Sequence, residues 1–250
     1  MSGAVATLRL DRLLANMGYG SRKDVQTLVK FGRVVLDGTP VTDAGLHVPV
    51  SPALSQRLHI AGAALDPPPG LVLMMHKPVG VTCSHKEAGA LVYELLPPRW
   101  RDRKPAISTI GRLDKETSGL LLLTDDGVLL HRVIAPKSNI AKRYRVTLAR
   151  ALRGDEAGVL ASGTLMLDGE DKPLLPVAMN IVPDTLMSGP VVTVTLTEGR
   201  YHQVRRMFAA LGNHVADLHR DQVGGLSLPA DLAPGQYRIL DAAATGLIFA

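Results

Sequence analysis

Asp114 is the strongest candidate for chemistry in this sequence. It lies in the segment GRLDKETSGLLLLTDDG, residues 111–127, between Gly111 and a strongly apolar stretch. The pattern predicts a loop at the mouth of a buried strand, with Arg112 and Lys115 beside the carboxylate. Because neighbouring cations favour the charged form of a carboxylate, we expect Asp114 to stay ionised. An ionised aspartate can act as a nucleophile or a general base, although most isolated loop acids are ordinary surface residues.

Two further segments contain residues that could assist a carboxylate. In EGRYHQVRRMFAALGNHVADLHR, residues 198–220, Arg205 lies near the edge of a helical apolar stripe and could hold a carboxylate with two hydrogen bonds. In AKRYRVTL, residues 141–148, Tyr144 could present its ring to an unstacked base, with Lys142 nearby for a phosphate. Spacing alone favours ordinary roles, with Arg205 facing solvent and Tyr144 in the core.

The elements around these residues have both strand and helix patterns. Apolar runs at 71–75 and 120–123 predict buried strands, and the alternation at 144–148 and 192–196 predicts strands with one buried face. Apolar residues at a helical period predict a helix over 204–211. Strands that include antiparallel neighbours, together with a few helices, predict an α+β fold with a mixed, mainly antiparallel sheet.

A turn, Thr124-Asp125-Asp126-Gly127, follows the second apolar run. Its aspartates are typical of turns and helix N-caps, so they predict a helix over about 127–135, which Pro136 ends. We assign neither aspartate a catalytic role.

The N-terminal part has the pattern of a small separate domain. Leucines at helical spacing predict a helix over about 8–17, and Ser21 is a suitable N-cap for a second helix. The segment 33–41 predicts a β-hairpin whose turn is Asp37-Gly38. Two short helices followed by strands, with basic residues on the helices, indicate a compact basic module.

A proline-rich stretch separates this module from the rest of the chain. Residues 66–70 read DPPPG, and three consecutive prolines cannot continue a helix or a central strand. Such a stretch is typical of a stiff, extended linker. We therefore predict two domains, over 1–66 and 67–250.

The composition is that of an ordinary globular protein, with 46% hydrophobic and 20% charged residues. The 28 basic side chains exceed the 23 acidic ones, which is only a weak indication of a polyanionic partner. The local distribution says more, because two basic tracts over 9–33 and 137–153 could each contact a phosphate backbone. Either tract alone is equally well explained as a solvated face.

Several classes of function lack support in the sequence. The single cysteine, Cys83, cannot form a disulfide within the chain or a cysteine-rich zinc site. The sequence contains no HExxH pair, no GxxxxGKS/T phosphate loop and no GxGxxG dinucleotide motif. It has no apolar run of membrane-spanning length, and charged residues interrupt its N-terminus where a signal peptide would have an apolar core. We expect a cytoplasmic protein that uses no membrane, metal or cofactor.

Taken together, the segments resemble the RsuA/RluB/RluE/RluF pseudouridine synthases. The 111–127 segment is similar to the family signature, while KPVGVTCS (77–84), AKRYRV and the 198–220 segment are similar to its other motifs in the same order. The resemblance covers about 71–240, and the N-terminal module resembles the S4 RNA-binding domain that many members carry. It implies a pseudouridine synthase fold, and isomerisation of a flipped-out uridine without cofactor or metal.

The resemblance also implies roles for individual residues. Asp114 matches the essential aspartate, Tyr144 the tyrosine that packs against the target base, and Arg205 a basic residue that pairs with the aspartate. Arg112 and Lys142 match positions expected to contact RNA, with Arg112 helping to flip or replace the target nucleotide. On the S4-like module, the residues expected to bind RNA are Arg9, Arg12, Ser21, Arg22, Lys23 and Arg33.

The 198–220 segment is most similar to the small-subunit enzymes of this family. The resemblance therefore implies 16S ribosomal RNA, free or in an assembling small subunit, as the partner of a monomeric enzyme. Two alternatives stay open, a 23S rRNA synthase and a non-catalytic ribosome assembly factor. A pure RNA binder does not need Asp114, Tyr144 and Arg205 together, which argues against the assembly factor. A third interpretation, a hydrolase of nucleosides or sugars that uses carboxylates, would need a second matched acid.

Overall fold

The computed structural model describes residues 6–84, 88–183 and 189–250. The chain divides into two compact units. The first comprises the chain up to Val72 with residues 93–108 and 123–129, and the second comprises residues 73–92, 109–122 and the chain from Leu130 onward. The units therefore do not follow the linear order of the sequence, and the predicted domain division at 66–70 stays a prediction.

Short helices and strands make up the N-terminal part of the first unit. In chain order they are β1 (Thr7–Arg9), α1 (Leu10–Asn16), α2 (Arg22–Lys30), β2 (Val34–Leu36), β3 (Thr39–Pro40), β4 (His47–Pro49), α3 (Leu54–Arg57), β5 (Leu58–Ile60) and β6 (Ala63–Ala64). β1 pairs with β4, and a second antiparallel sheet has the order β3-β2-β5-β6. Leu10, Leu13, Val25 and Leu58 are among the residues of one apolar core that these elements share.

Local sequence signals predict this part of the fold well. The first helix begins at Leu10, two residues later than expected, because residues 7–9 pair with β4. Ser21 caps α2 as predicted, in a reciprocal pair of hydrogen bonds with Asp24. Asp37 and Gly38 have φ angles of 51° and 78°, so the predicted hairpin turn is confirmed, with both central residues left-handed.

The remaining elements follow from residue 72. In chain order they are β7 (Val72–Lys77), β8 (Ser108–Ile110), β9 (Ser118–Thr124), α4 (Gly127–Ile134), β10 (Lys142–Leu148), α5 (Glu156–Ala161), β11 (Ala178–Ile181), β12 (Val191–Leu196), α6 (Gln203–Ala210), β13 (Val215–Val223), β14 (Leu226–Ser227), β15 (Tyr237–Ile239) and α7 (Ala242–Gly246). Short 3₁₀ turns occur at Val92–Leu95, Pro98–Asp102, Pro136–Ser138 and Leu247–Phe249. Within the described residues, no helix combines the length and apolar character needed to cross a membrane.

One large mixed sheet organises the chain from residue 72 onward. Its strand order is β11-β12-β10-β13-β9-β7-β15, with β14 beside β13 and β8 beside β9. β10 runs antiparallel to both β12 and β13, whereas β13 runs parallel to β9. The predicted α+β fold with a mixed, mainly antiparallel sheet is confirmed.

β9 explains why the 111–127 segment is so apolar. Its leucines from Leu120 to Leu123 are all buried, as expected for a central strand covered on both faces. Gly119 at its start has a φ of 111°, and a Cβ there would lie 2.2 Å from the carbonyl oxygen of Arg220. This glycine therefore permits the close approach of β13, which carries Arg220.

The two aspartates after β9 have different roles. Asp126 caps α4 as predicted, because Oδ1 accepts hydrogen bonds from the backbone N–H groups of Val128 and Leu129. Asp125 is more than a turn residue, since its side chain is buried and pairs with the buried guanidinium of Arg103 at 2.7 Å. This pair joins two separate segments of the first unit.

Candidate active site

Asp114 lies in the loop between β8 and β9, at a cleft of about 690 Å³ in the second unit. Its carbonyl accepts a hydrogen bond of 3.0 Å from the N–H of Thr117, which closes a turn. Its side chain is 34% exposed, so the carboxylate can meet a ligand in the cleft. The imidazole of His202 lies beside this carboxylate, with its Nε2 3.5 Å from Oδ1.

Buried hydrogen bonds hold the backbone of this loop. Lys77 is fully buried, and its Nζ donates to the carbonyls of Thr117 at 2.8 Å and Lys115 at 3.3 Å. Arg205 donates through Nη2 to the carbonyl of Glu116 at 2.9 Å. A loop fixed in this way aims its carboxylate without reorganisation when a substrate binds.

The predicted ion pair between Arg205 and Asp114 does not form. The guanidinium of Arg205 instead bridges two backbone carbonyls, those of Glu116 and Val215. The first turn of α6 brings this side chain against the backbone of the loop. Arg205 is not among the described residues that line the cleft. A part in catalysis for Arg205 stays a prediction, and the contacts indicate that it would act by positioning the loop.

Arg220 is the cation that lies beside Tyr144. The two residues are directly opposite each other on β10 and β13, and both line the cleft. The Arg220 guanidinium is buried, donates through Nε to the carbonyl of Leu120 at 2.8 Å, and donates through Nη1 to the Tyr144 hydroxyl at 3.4 Å. A register shift between Arg143 and Tyr144 marks a bulge next to this pair, as is common near active sites.

Two of the predicted RNA-contacting residues also line the cleft. Arg112 is exposed, whereas Lys142 is half-buried and donates through Nζ to the carbonyl of Ile140. Burial, and secondarily the charge of Arg220, lowers the pKa of Lys142. Arg112, Lys142 and Arg220 line the same cleft as the Asp114 carboxylate. Their positive charge favours binding of a phosphate backbone.

The basic residues predicted to bind RNA on the N-terminal module fall into two groups. Arg12, Lys23 and Arg33 are exposed. Arg9 and Arg22 are exposed as well, but they pair with the fully buried Asp11, at 3.1 Å and 2.7 Å. These hydrogen bonds, with Arg9 contributing most, outweigh burial and hold the pKa of Asp11 well below its ordinary value.

The structure thus brings together most, but not all, of the predicted catalytic-domain site. Asp114, Tyr144, Arg112 and Lys142 line one cleft. The sequence reasoning missed three residues, Lys77, His202 and Arg220, although each lies inside a motif segment that it had singled out. Arg220 lies two positions after Leu218 on the same face of the strand, and this spacing was the available signal for a buried arginine.

A pair of alanine variants tests the two arginines. We expect Arg220→Ala to lower kcat by about 100-fold or more, since electrostatic groups inside a catalytic cleft have effects of this order. We expect Arg205→Ala to lower it by less than about 10-fold, since the loop keeps its contacts with Lys77. Single-turnover rates on a common RNA substrate would measure both, and a larger loss for Arg205→Ala would contradict this assignment.

Comparison with known proteins identifies the class to which this fold and site belong. Residues 71–210 match the RNA pseudouridylate synthase family, and residues 8–51 match the S4 domain. The chain belongs to the RNA pseudouridylate synthase family, as the sequence motifs indicated, and it is an isomerase.

Particular relatives cover nearly the whole chain. An uncharacterized RNA pseudouridine synthase of Bacillus subtilis is 40% identical over 235 residues, spanning 93% of this chain and 95% of the relative. The ribosomal small subunit pseudouridine synthase A of Escherichia coli is 36% identical over 236 residues, spanning 93% and 96%. A solved pseudouridylate synthase structure matches with a TM-score of 0.64 at 31% identity, covering 96% of this chain and 99% of that one.

Proposed function

We propose that this protein converts one uridine of 16S ribosomal RNA to pseudouridine, with Asp114 as the catalytic carboxylate. The observation that carries the proposal is a rigidly held Asp114 at an open cleft whose walls carry Tyr144 and Arg220. The small-subunit target is supported by the 36% identical relatives from Escherichia coli and Vibrio cholerae, whose names state that activity. The protein would act in the cytoplasm as a monomer, on free 16S rRNA or on an assembling small subunit.

The reaction is an isomerisation that needs a positioned carboxylate and no co-reactant. The bond between N1 and C1′ of the uridine breaks, and a bond between C5 and C1′ forms. The proton lost from C5 is balanced by one gained at N1, so no electrons or other atoms enter or leave. Asp114 would add to C6 of the base or act at C1′ or C2′ of the ribose. Each of these three routes needs an ionised carboxylate oxygen that points at the reacting atom.

The target uridine would have to leave its stack to reach Asp114. Enzymes that act on a base inside structured RNA extrude it into a pocket, at a cost of a few kcal/mol. Tyr144 faces the cleft and would pack against the flipped base, which offsets part of that cost. Arg112, exposed next to Asp114, would occupy or stabilise the gap that the base leaves.

The S4 domain would supply affinity and register. A second RNA contact on the same chain raises the effective concentration of the first. The exposed Arg12, Lys23 and Arg33 provide charge for phosphate contacts, whereas Arg9 and Arg22 share their charge with Asp11.

A charge-neutralising variant tests this role of the S4 domain. Replacing Arg12, Lys23 and Arg33 with glutamine is expected to weaken rRNA binding. The slope of the logarithm of the binding constant against the logarithm of the salt concentration should become shallower by about 0.7 to 0.9 for each lost phosphate contact. Affinity would be measured over a salt titration, with Arg238→Gln, at an exposed base outside both basic tracts and the cleft, as the matched control. An unchanged slope for the triple variant would contradict an RNA role for these side chains.

The proposed substrate is tested with purified components. The protein would be incubated separately with unmodified 16S and 23S rRNA, and pseudouridine would be mapped by carbodiimide-dependent stops of reverse transcriptase. We expect one modified uridine in 16S rRNA and none in 23S rRNA. Modification of 23S rRNA alone would replace the substrate assignment. Binding without modification of free 16S rRNA, free 23S rRNA or an assembling small subunit would identify a non-catalytic assembly factor.

A further inference from the structure

Tyr201 and His202 form a stacked pair of rings at the cleft, and the reaction outlined above uses neither. Their ring centroids are 3.8 Å apart with an interplanar angle of 19°. Tyr201 is 72% exposed, and both residues line the cleft. At its inner end, the pair reaches Asp114 through the Nε2 of His202, 3.5 Å from the carboxylate. A single exposed aromatic residue is ordinary, but a stacked pair that ends on the proposed catalytic carboxylate indicates a binding element.

One carboxylate holds the side chains of the two residues that flank this pair. Before it, Arg200 donates through Nε to one carboxylate oxygen of Glu198 at 3.1 Å. After it, Gln203 donates through Nε2 to the other oxygen of Glu198 at 2.8 Å. The same carboxylate thus anchors the residues that flank the pair, so the rings need little ordering when a ligand binds.

His202 adopts a backbone conformation that few side chains occupy. Its φ and ψ are 48° and 34°, in the left-handed region, at the residue that precedes α6. Non-glycine residues outside turns persist in this region only where the surrounding structure fixes them, and they cluster at functional sites. The strained backbone directs the His202 ring between Tyr201 and Asp114, and it leaves most of Tyr201 open to solvent.

We propose that Tyr201 is a stacking platform for the nucleobase next to the target uridine, with His202 as the residue that positions its ring. This inference rests on the proposed function. Flipping one nucleotide removes a stacking partner from its neighbour, and exposed aromatic rings commonly take up unstacked RNA bases. The cationic side chains of Arg112 and Lys142 line the same cleft, which favours the flanking phosphates.

The test combines protein variants with altered RNA. Tyr201→Ala is expected to raise KM by about 5- to 150-fold, the range that corresponds to loss of one base stack. Saturating single-turnover rates should change by less than about threefold, since Asp114 keeps its loop. Tyr201→Phe should restore a normal KM, because the ring rather than the hydroxyl makes the stack. His202→Asn should also raise KM, and asparagine is suited to the left-handed backbone at this position. The double variant of His202→Asn and Tyr201→Ala should have the same KM as Tyr201→Ala alone.

An abasic scan identifies the base directly. Abasic substitutions would be placed on each side of the mapped uridine in an RNA fragment. At one position, the abasic substitution should weaken binding by the wild type as much as Tyr201→Ala weakens binding to intact RNA. The same abasic RNA should weaken binding by Tyr201→Ala little further. Ile181→Ala, at an exposed apolar residue of β11 outside the cleft, serves as the control and should match the wild type in both assays.

Two sets of results would overturn the inference. A normal KM for Tyr201→Ala, or equal defects in Tyr201→Phe and Tyr201→Ala, would exclude a stacking role for the ring. Additive losses for Tyr201→Ala and every abasic substitution would exclude it as well. An inactive wild-type protein on all rRNA would instead refute the proposed function, so the two failures are distinguishable.

Discussion

Asp114→Asn is expected to abolish turnover, with a loss of at least about a thousandfold, while RNA affinity changes by less than about threefold. Asparagine has nearly the same shape as aspartate but cannot supply an anionic oxygen. The loop should keep its structure, since the contacts from Lys77 and Arg205 go to backbone carbonyls and not to the Asp114 side chain. Chemistry and binding should therefore separate in this variant.

Single-turnover assays with RNA tritiated at C5 of uridine would measure the rate, and filter binding would measure the affinity. Asp171→Asn, at an exposed carboxylate, is the matched control and should behave as the wild type. Pseudouridine formation by Asp114→Asn within about tenfold of the wild-type rate would remove the catalytic assignment. A parallel loss of RNA affinity would instead indicate that the substitution disturbs the cleft.

Asp125→Ala is expected to lower the free energy of unfolding by about 3 to 5 kcal/mol, the usual cost of breaking a buried ion pair from one side. Both partners are almost fully buried, with side-chain exposures of 1% for Arg103 and 1% for Asp125. The second carboxylate oxygen accepts hydrogen bonds of 2.8 Å from the backbone N–H groups of Gly70 and Leu71. The variant would leave a buried guanidinium and two backbone donors without their partner.

Urea denaturation, followed by far-ultraviolet circular dichroism, would measure this loss. The control is Asp231→Ala, which removes the 74% exposed carboxylate of the Asp231–Arg238 pair and should cost less than about 1 kcal/mol. If the two variants lost similar free energy, the Arg103–Asp125 pair would not be the connection that holds its unit together.

Local chemistry explains which parts of the fold could be predicted. The Asp37-Gly38 turn, the Ser21 cap and the helix before Gly212 depend on residues within a few positions of one another, and each was predicted. The start of α1 was placed two residues early, because residues 7–9 pair with a strand about 40 residues away. Sequence periodicity does not contain information about such a partner.

The errors in the site have the same origin. The contact between Tyr144 and Arg220 depends on the register of β10 against β13, across 76 positions of sequence. Arg205 was predicted to reach a carboxylate, whereas its guanidinium bridges the carbonyls of Glu116 and Val215. Asp125 had the local pattern of a turn residue, and only the tertiary structure brings Arg103 to it.

The two interpretations of Tyr144 are compatible. Its spacing on β10 predicted a core residue, and the side chain is indeed 9% exposed. The motif resemblance predicted a residue that faces the target base, and Tyr144 does line the cleft. A ring packed into the sheet on one side can present a fixed surface to a ligand on the other, which is why a single spacing pattern could not distinguish the two roles.

Pseudouridine mapping in cells tests the central proposal most directly. Ribosomal RNA would be prepared from cells that lack the gene and carry either the wild-type chain or Asp114→Asn, and carbodiimide-dependent stops would be read across both subunits. We expect one site in 16S rRNA that the wild type restores and Asp114→Asn does not. Restoration by Asp114→Asn, or a wild-type site that falls only in 23S rRNA, would contradict the account.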